Sequence, residues 1–270
     1  MHRFLAYDAP VLPLRIHAPK CTKPKTGFDQ LEFPMKDVAV ILAAAGRSSR
    51  FNDPYQKKVY ATVHGKPVWQ YSAQLFADHP RIAQIIMTIA QEDKAMVQEK
   101  FSGNLTLFGV EIVLGGQERC DSVRNALERI KTGISLVAIH DAARPCLSRQ
   151  SLNQVIEEAS KHRAAILASP IRATVKRVDP TNHQILETVP RDGLWQAQTP
   201  QVFRTEDLQR GYANAKGNPT DDAQVIEKMG IAIRVVEGHE SNIKITTKED
   251  LRTVEGILKS PTRTRDNPFF

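Results

Sequence analysis

A turn of small residues followed by basic ones is the first feature of this sequence that suits chemistry. An apolar, strand-like segment runs into Ala44, Ala45 and Gly46, and Arg47 and Arg50 come next. Small side chains let a ligand lie against the backbone, Gly46 permits a positive φ, and the following amides can face a phosphate. Arginine keeps its charge at any physiological pH. The turn therefore predicts a site for an anion.

Two lysines, Lys57 and Lys58, follow shortly and add positive charge to the same region. The spacing is not that of a P-loop, which needs G-x-x-x-x-G-K-[ST], nor that of the G-x-G-x-x-G dinucleotide loop. We therefore expect a phosphate site of another kind. A helix-capping glycine beside solvent-facing arginines is the alternative interpretation.

The sequence HDAARP carries a second candidate site. Asp141, at the carboxyl end of a predicted strand, offers the hard oxygen ligands that magnesium prefers, and Arg144 offers a bidentate fork for a phosphoryl group. The alternative is that Asp141 caps the next turn and pairs with Arg144. His140 is predicted to pack within its strand, since no second histidine or carboxylate lies at a metal-binding spacing.

Two other segments carry further candidates. The sequence GGQERCDS places two glycines before a predicted helix, so that a ligand can approach the backbone, and Ser122 can hydrogen-bond a base or a sugar. The alternative is that Asp121 or Ser122 only caps that helix. The sequence SNIKITTKEDL places Lys244 on a predicted short strand, and Thr246 or Thr247 then caps a helix.

These residues lie at the ends of elements that alternate along the chain. Strand-like runs cover residues 38–44, 84–90, 111–114, 135–140, 164–168 and 231–236. Amphipathic helical segments separate most of them, and two of these begin at Pro67 and Asp121. The alternation predicts an α/β fold with a Rossmann-like, mostly parallel sheet flanked by helices. Ligands of such sheets bind outside the carboxyl ends of the strands.

The alternation breaks at about residue 171. Residues 171–200 contain two short alternating strands around the turn DPTN and a third after Asp192, which predicts an antiparallel β-arm. A flat arm cannot bury both faces on one subunit, so it pairs with a second chain or packs against its own domain. The arm belongs to a predicted domain over 36–259. Outside that domain we expect a loosely ordered extension over 1–35 and a flexible tail over 260–270.

Composition excludes several classes of protein. The 270-residue chain, 41% hydrophobic and 25% charged, suits a globular protein with a substantial core. No apolar run approaches the ~20 residues that span a bilayer, and the first 35 residues lack the apolar region of a signal peptide. Three cysteines without C-x-x-C spacing predict no zinc or disulfide framework and favour the cytoplasm. The charge of +7 is scattered and aromatics are only 6%, so nucleic-acid binding is not expected.

Eight segments, in order and spacing, resemble the 2-C-methyl-D-erythritol 4-phosphate cytidylyltransferase family of the non-mevalonate isoprenoid pathway. They are LAAAGRSSRF, KKVYATVHGKPVW, GGQERCDSV, HDAARP, ATVKRV, GLWQAQTPQVF, TDDA and EGHESNIKITTKEDL. The resemblance covers residues 37–259, and HDAARP and WQAQTPQVF are its most specific parts. It implies a fold of the nucleotide-diphospho-sugar transferase type and transfer of CMP from CTP to 2-C-methyl-D-erythritol 4-phosphate. The products are then 4-diphosphocytidyl-2-C-methyl-D-erythritol and pyrophosphate.

The resemblance also implies a role for each matching residue. The nucleotide-binding residues that it implies are Ala44, Ala45, Gly46, Gly116, Gln117 and Ser122. The catalytic residues are Arg50, Lys58, Asp141 and Lys244, with Asp141 beside a magnesium ion or another divalent cation. The residues that bind the polyol phosphate are Arg144, Thr174, Arg191, Thr199 and Thr220. Some of the last group would come from the partner's arm in a homodimer.

The chain departs from the family pattern at a few positions. Spacing back from GKP selects Lys58 as the catalytic lysine, whereas spacing forward from Arg50 selects Lys57, and we prefer Lys58. Ser48 stands where the family often has a second glycine, which alters the freedom of the loop backbone. Phe51 replaces a methionine, and position 117 has glutamine where aspartate is common.

Three other functions stay open from the sequence. The same chemistry on ribitol 5-phosphate is the nearest. A uridylyl- or guanylyltransferase acting on a sugar 1-phosphate would use the same kind of sheet. A non-catalytic protein that binds phosphate or nucleic acid is the third, and a magnesium-binding aspartate opposite two cations argues against it.

Overall fold

The computed structural model describes residues 35–46, 48–51, 53, 56–215 and 217–259. Arg47, the tail predicted over 260–270 and all of the predicted extension except Met35 lie outside these residues.

A central sheet carries most of the strands. Its members are β1 (Val38–Ala43), β4 (Ile82–Ile89), β5 (Val110–Leu114), β6 (Leu136–Asp141), β7 (Ala164–Pro170), β10 (Trp195–Arg204) and β11 (Arg234–Glu237). The order across the sheet is β11-β7-β10-β6-β1-β4-β5. Every pair is parallel except those made by β10, which runs antiparallel to both neighbours. The prediction of a Rossmann-like, mostly parallel sheet is therefore confirmed.

Helices cover both faces of this sheet. They are α1 (Val68–Ala77), α2 (Lys94–Leu107), α3 (Arg119–Leu127), α4 (Arg149–His162), α5 (Thr205–Asn214), α6 (Asp222–Glu227) and α7 (Lys248–Lys259). The side chains of β1 alternate between two buried clusters: Val40 and Leu42 face one, and Ile41 faces the other. A strand buried on both sides reads as a continuous apolar run, as segment 38–43 does.

Two small hairpins stand apart from the central sheet. One joins β2 (Thr62–Val63) to β3 (Lys66–Pro67), and the other joins β8 (Val175–Val178) to β9 (Ile185–Val189). The β8–β9 hairpin is the arm predicted from the break at residue 171. The third predicted strand of the arm is the start of β10, which pairs with β7 from Trp195 onward and so belongs to the central sheet.

Several boundaries differ from the sequence-based prediction. Strand β11 begins at Arg234 rather than at residue 231, because only from there does the chain pair with β7. Helix α3 begins at Arg119, two residues before Asp121, whose carboxylate accepts a hydrogen bond from the backbone N–H of Glu118. Lys244 lies in an extended segment that is not a strand. Thr247 caps α7, since its hydroxyl accepts from the backbone N–H of Asp250.

Within the described residues, no helix combines the length and the apolar character that a membrane span needs.

Candidate active site

A cleft of about 290 Å³ opens at the carboxyl ends of β1, β4, β5 and β6. The strands on either side of β1 are β4 and β6, so the strand order reverses direction at β1. Ligands of open α/β sheets bind at such a topological switch point. The residues that line the cleft are Ala43, Ala44, Ala45, Gly46, Lys58, Val59, Thr88, Gly116, Gln117, Glu118, Arg119, Ser122, Asp141, Ala143 and Lys244. The structure therefore brings nine of the sequence-predicted site residues into one cleft.

The loop after β1 forms one wall of the cleft. The backbone N–H of Ala44 still donates to the carbonyl of Thr88 at 3.1 Å, so the loop leaves the sheet only after this residue. The left-handed backbone conformation falls on Ser48, with φ of 55°, and not on Gly46. Ser48 is the position where the family often has glycine. A serine in this conformation carries steric strain of roughly 1 kcal/mol.

The turn between β5 and α3 forms the opposite wall. A Cβ on Gly116 would lie 2.3 Å from the Cβ of Asp121, and one on Gly115 would lie 2.6 Å from the Cβ of Ala45. The two glycines are therefore required because the turn packs directly against its helix and against the first loop. The hydroxyl of Ser122 accepts from the N–H of Gly116 at 3.1 Å and so holds the turn in place.

Asp141 lies on the floor of the cleft as the last residue of β6. Its side chain is almost fully buried, with Lys244 Nζ at 2.9 Å and Arg144 Nε at 3.3 Å from Oδ2. Burial alone would raise the pKa of Asp141, but the positive charges of Lys244, Arg119 and Arg144 outweigh it and hold the pKa well below its usual range. Asp141 is therefore a carboxylate at any physiological pH.

The residues around Asp141 fix its position from below. Arg144 is 8% exposed, and its Nη1 donates to the carbonyl of Asn242 at 2.7 Å, which ties β6 to the segment that carries Lys244. The hydroxyl of Thr199 accepts from the N–H of Asp141 at 3.0 Å and lies 3.1 Å from Nδ1 of His140. Thr199 is thus brought to the site, but its hydroxyl is already hydrogen-bonded beneath the carboxylate.

His140 is fully buried, as its strand position predicted. Its Nε2 lies 3.1 Å from the carbonyl of Arg144, and its ring meets Phe76 edge to face. Burial lowers the pKa of His140 to about 4, so that the ring is neutral at physiological pH. The histidine supports the floor of the cleft and does not line it.

The two adjacent lysines go to different places. Lys58 lines the cleft, where burial lowers its pKa to about 8 and the positive charges of Lys244 and Arg50 act in the same direction, against the attraction of Asp141. The Nζ atom of Lys57 instead lies 2.8 Å from Glu92 Oε1. Arg50 is exposed in the short 3₁₀ helix Ser49–Phe51, and its charge reaches Lys58 although it is not one of the residues that line the cleft.

Arg119 is a cleft residue that the sequence reading missed. Its guanidinium donates to both carboxylate oxygens of Asp222, at 2.9 and 2.6 Å, and Asp222 is completely buried. The hydroxyl of Tyr212 donates to Asp222 as well. The bidentate pair fixes a permanent cation on the wall of the cleft. Arg119 belongs to the GGQER segment, and its partner Asp222 belongs to the distant TDDA segment. Nothing in the sequence indicates that the two side chains pair.

Besides Arg50, Arg144 and Thr199, three further predicted residues are not part of the cleft lining. Thr174 and Arg191 are exposed at the base of the β8–β9 arm, where Arg191 donates to the carbonyl of Arg172. Thr220 is exposed just before α6, and its N–H donates to Gln224 at 3.0 Å. The structure thus connects Thr220 to the cleft through the neighbouring Asp222 and does not place it on the cleft wall.

The described part of the chain has no cluster of three or more His, Cys, Asp or Glu side chains that suits a metal ion. The cleft instead holds a carboxylate among cations, with small residues and backbone amides beside it. This arrangement suits a nucleoside triphosphate whose charge is neutralised by Lys and Arg. The fold and the site define a nucleotidyltransferase of the Rossmann-like type.

Comparison with known proteins identifies the family. A match to the 2-C-methyl-D-erythritol 4-phosphate cytidylyltransferases covers residues 38–260, and the chain belongs to this family. It is a cytidylyltransferase, which transfers CMP from CTP to 2-C-methyl-D-erythritol 4-phosphate. The resemblance stated from the eight sequence segments is confirmed, and the acceptor is methylerythritol phosphate rather than the alternative ribitol phosphate.

Individual relatives agree with the family match. The 2-C-methyl-D-erythritol 4-phosphate cytidylyltransferase of Dictyoglomus thermophilum is 38% identical over 83% of this chain and 97% of its own length. That of Rhodopirellula baltica is 37% identical over 82% of this chain and 94% of its own length. The crystal structure of the Thermus thermophilus protein of the same name has a TM-score of 0.70 and 28% identity, and the match covers 83% of this chain and all of that one.

Proposed function

We propose that the cleft residues divide the reaction between two groups. The first loop and the β5–α3 turn, with Ala44, Ala45, Gly46, Gly116, Gln117 and Ser122, bind the cytidine nucleotide. Arg50, Lys58, Lys244 and Asp141 act on the phosphates. The observation that carries this proposal is the single cleft at the ends of β1, β5 and β6, where cations surround a carboxylate that stays ionised.

The reaction is an in-line displacement at the α-phosphorus of CTP. A phosphate oxygen of methylerythritol phosphate attacks, a new P–O bond forms, and the bond to the leaving pyrophosphate breaks. The nucleophile is already anionic, so no general base is needed. Lys58 and Lys244 both line the cleft and would stabilise the negative charge that develops on the α-phosphoryl oxygens, so that catalysis rests on positioning and charge.

The donor set fits a magnesium ion that arrives with its nucleotide. Magnesium is usually held by one or two carboxylates together with substrate phosphates, and Asp141 places a carboxylate on the floor of this cleft. Asp141 would hold the ion, and the ion would supply further neutralisation of the triphosphate charge. Lys244 and Arg144, which pair with Asp141, would also bind phosphate oxygens.

The β8–β9 arm, with Thr174 and Arg191 at its base, supplies the acceptor site across a homodimer. Five large apolar side chains of the arm region are exposed: Val178, Ile185, Leu186, Leu194 and Trp195. A second copy of the chain would cover these apolar side chains. In that dimer, Thr174 and Arg191 of one chain would lie at the cleft of the other chain, near its Arg144 and Thr220. The cytoplasmic location and the absence of nucleic-acid binding stay predictions from composition.

The experiment that tests this function is pyrophosphate release by the purified chain with magnesium. CTP, UTP, GTP and ATP are each offered with methylerythritol phosphate and, separately, with ribitol phosphate. We expect release only with CTP and methylerythritol phosphate together, and none when a chelator removes the metal. Turnover with another nucleotide or with ribitol phosphate alone would contradict the assignment of the cleft.

A further inference from the structure

The contacts of Lys57 carry an inference about a residue outside the cleft. Lys57 Nζ lies 2.8 Å from Glu92 Oε1 and 2.8 Å from Asp93 Oδ2, while the side chain of the next residue, Lys58, lines the cleft. Of these two adjacent lysines, one is paired with two carboxylates and the other lines the cleft.

This anchor is built into the protein interior. The side chain of Asp93 is 9% exposed and that of Lys57 is 19% exposed. The hydroxyl of Tyr60 donates to the same Asp93 oxygen at 3.2 Å, and the ring of Tyr60 stacks on Phe101. Solvent and salt screen a pair at this depth less than they screen a surface pair.

The anchored residues also hold the backbone that carries Lys58. Lys57 immediately precedes the 3₁₀ helix Lys58–Tyr60. The N–H of Tyr60 donates to the carbonyl of Lys57 at 3.0 Å, and Nε2 of Gln56 donates to the carbonyl of Tyr60 at 2.8 Å. Lys58 thus sits on a short turn whose first and last residues, Lys57 and Tyr60, are both bound to Asp93.

The acidic side of the anchor is fixed to the sheet. Glu92 and Asp93 lie in the short helix Gln91–Asp93, which follows β4 after a single residue. Thr88, near the end of β4, lines the cleft, and its carbonyl accepts the hydrogen bond from Ala44. The anchor therefore ties the Lys58 turn to the same strand end that holds the first loop.

Lys58 is half-buried among charges of both signs, so its position depends on how its turn is held. Lys244 and Arg50 repel it, whereas Asp141 and Asp250 attract it. We propose that Lys57 is a positioning residue, which holds Lys58 in the cleft through its ion pairs with Glu92 and Asp93. The proposal rests on the role proposed above for Lys58.

The test compares the kinetics of Lys57→Met with those of Lys57→Arg. Without its anchor, Lys58 is expected to shift by about 1 Å in Lys57→Met. We therefore expect kcat to fall by ~10- to ~100-fold, with KM for methylerythritol phosphate unchanged. Lys57→Arg keeps a cation that reaches both carboxylates and is expected to restore most of kcat. A loss in Lys57→Arg as large as that in Lys57→Met would contradict a positioning role.

A second variant leaves the buried carboxylate intact. Glu92 is 68% exposed, so Glu92→Gln weakens the anchor without a new buried gap. We expect Glu92→Gln to lower kcat less than Lys57→Met does. In the double variant that combines the two substitutions, the fall in kcat is expected to be smaller than the product of the two single falls, because both substitutions act through one contact. Fully multiplicative losses would overturn the proposal.

Lys161→Met is the matched control. Lys161 Nζ also lies near two carboxylates, Glu157 at 2.7 Å and Glu158 at 3.5 Å, but on α4, which contributes no residue to the cleft lining. Its kcat and both KM values are expected to stay at wild-type levels. Wild-type kcat in Lys57→Met, with or without a lower Tm, overturns the positioning role. Wild-type kcat in Lys58→Met overturns the proposed function of Lys58 instead.

Discussion

The cleft, the proposed nucleotide site, and the β8–β9 arm, the proposed acceptor site, differ in how far one chain alone forms them. In the cleft, Asp141 and Arg144 are 7% and 8% exposed, and both are fixed by partners in the same chain. On the arm, Arg191 is exposed, and Trp195 nearby is 43% exposed. The cleft is therefore held rigidly within one chain, which suits the proposed nucleotide site. The arm has exposed apolar side chains that a second chain would cover under the proposal.

The largest effect is expected from the cations of the cleft. Arg50→Ala and Lys58→Ala should each lower kcat by ~10²- to ~10³-fold, about 3–4 kcal/mol, by analogy with the loss of one preorganised donor. Steady-state pyrophosphate release measures this. Burial disfavours the charged form of Lys58, so Lys58→Ala should not lower Tm at neutral pH. Thermal denaturation therefore distinguishes a variant that has lost activity from one that has unfolded. Full turnover in Lys58→Ala together with loss in Lys57→Ala would show that the register is wrong.

A smaller and more selective effect is expected from the arm. Arg191→Ala should raise KM for methylerythritol phosphate by ~10-fold or more and leave KM for CTP near its wild-type value, since a lost charge-assisted hydrogen bond costs about 1.5–3 kcal/mol. Thr174→Val is expected to act in the same direction. Equal changes in both KM values would remove the distinction between the two regions.

The pH dependence of CTP use should reveal Lys58. Its pKa is lowered to about 8, so the free enzyme loses this positive charge as the pH rises through that value. We expect kcat/KM for CTP to be highest below about pH 8 and to fall on the alkaline side. In Lys58→Arg, any remaining activity should lack this alkaline limb, since arginine stays charged. If kcat/KM for CTP falls at the same alkaline pH in Lys58→Arg, the fall arises from the titration of another group.

The smallest effect concerns the first loop. Ser48→Gly removes the strain of a left-handed serine, which raises the free energy of unfolding by up to roughly 1 kcal/mol. The entropy that glycine adds to the unfolded chain offsets part of this gain, so we expect only a slight rise in Tm. KM for CTP should stay within about twofold, because the substitution leaves every cleft side chain in place. Thermal denaturation with and without CTP checks both expectations.

Features formed within one strand end were accessible from the sequence. The turn after β1 and the HDAARP segment each place their side chains at a strand's carboxyl end, so strand periodicity was enough to bring Gly46 and Asp141 to the same edge of the sheet. The burial of His140 followed from its strand position in the same way.

Features formed between distant segments were not accessible. Arg119 meets Asp222 across 103 positions, and nothing local distinguishes either from a solvated charge. The spacing back from GKP selected Lys58, which does line the cleft, but the sequence does not show that Lys57 pairs with Glu92, 35 residues away. Neither spacing nor charge pattern indicates these two ion pairs, because they form only when the chain folds.

Mixed dimers test the division between cleft and arm most directly. Lys58→Ala and Arg191→Ala chains, each with a different tag, are expressed together, and the heterodimer is purified. If the arm of one chain serves the cleft of its partner, one of the two sites in the heterodimer is intact. At methylerythritol phosphate concentrations well below KM we then expect turnover near half of the wild-type value, far above that of either variant homodimer. A heterodimer no more active than the mean of the two variant homodimers would contradict the account.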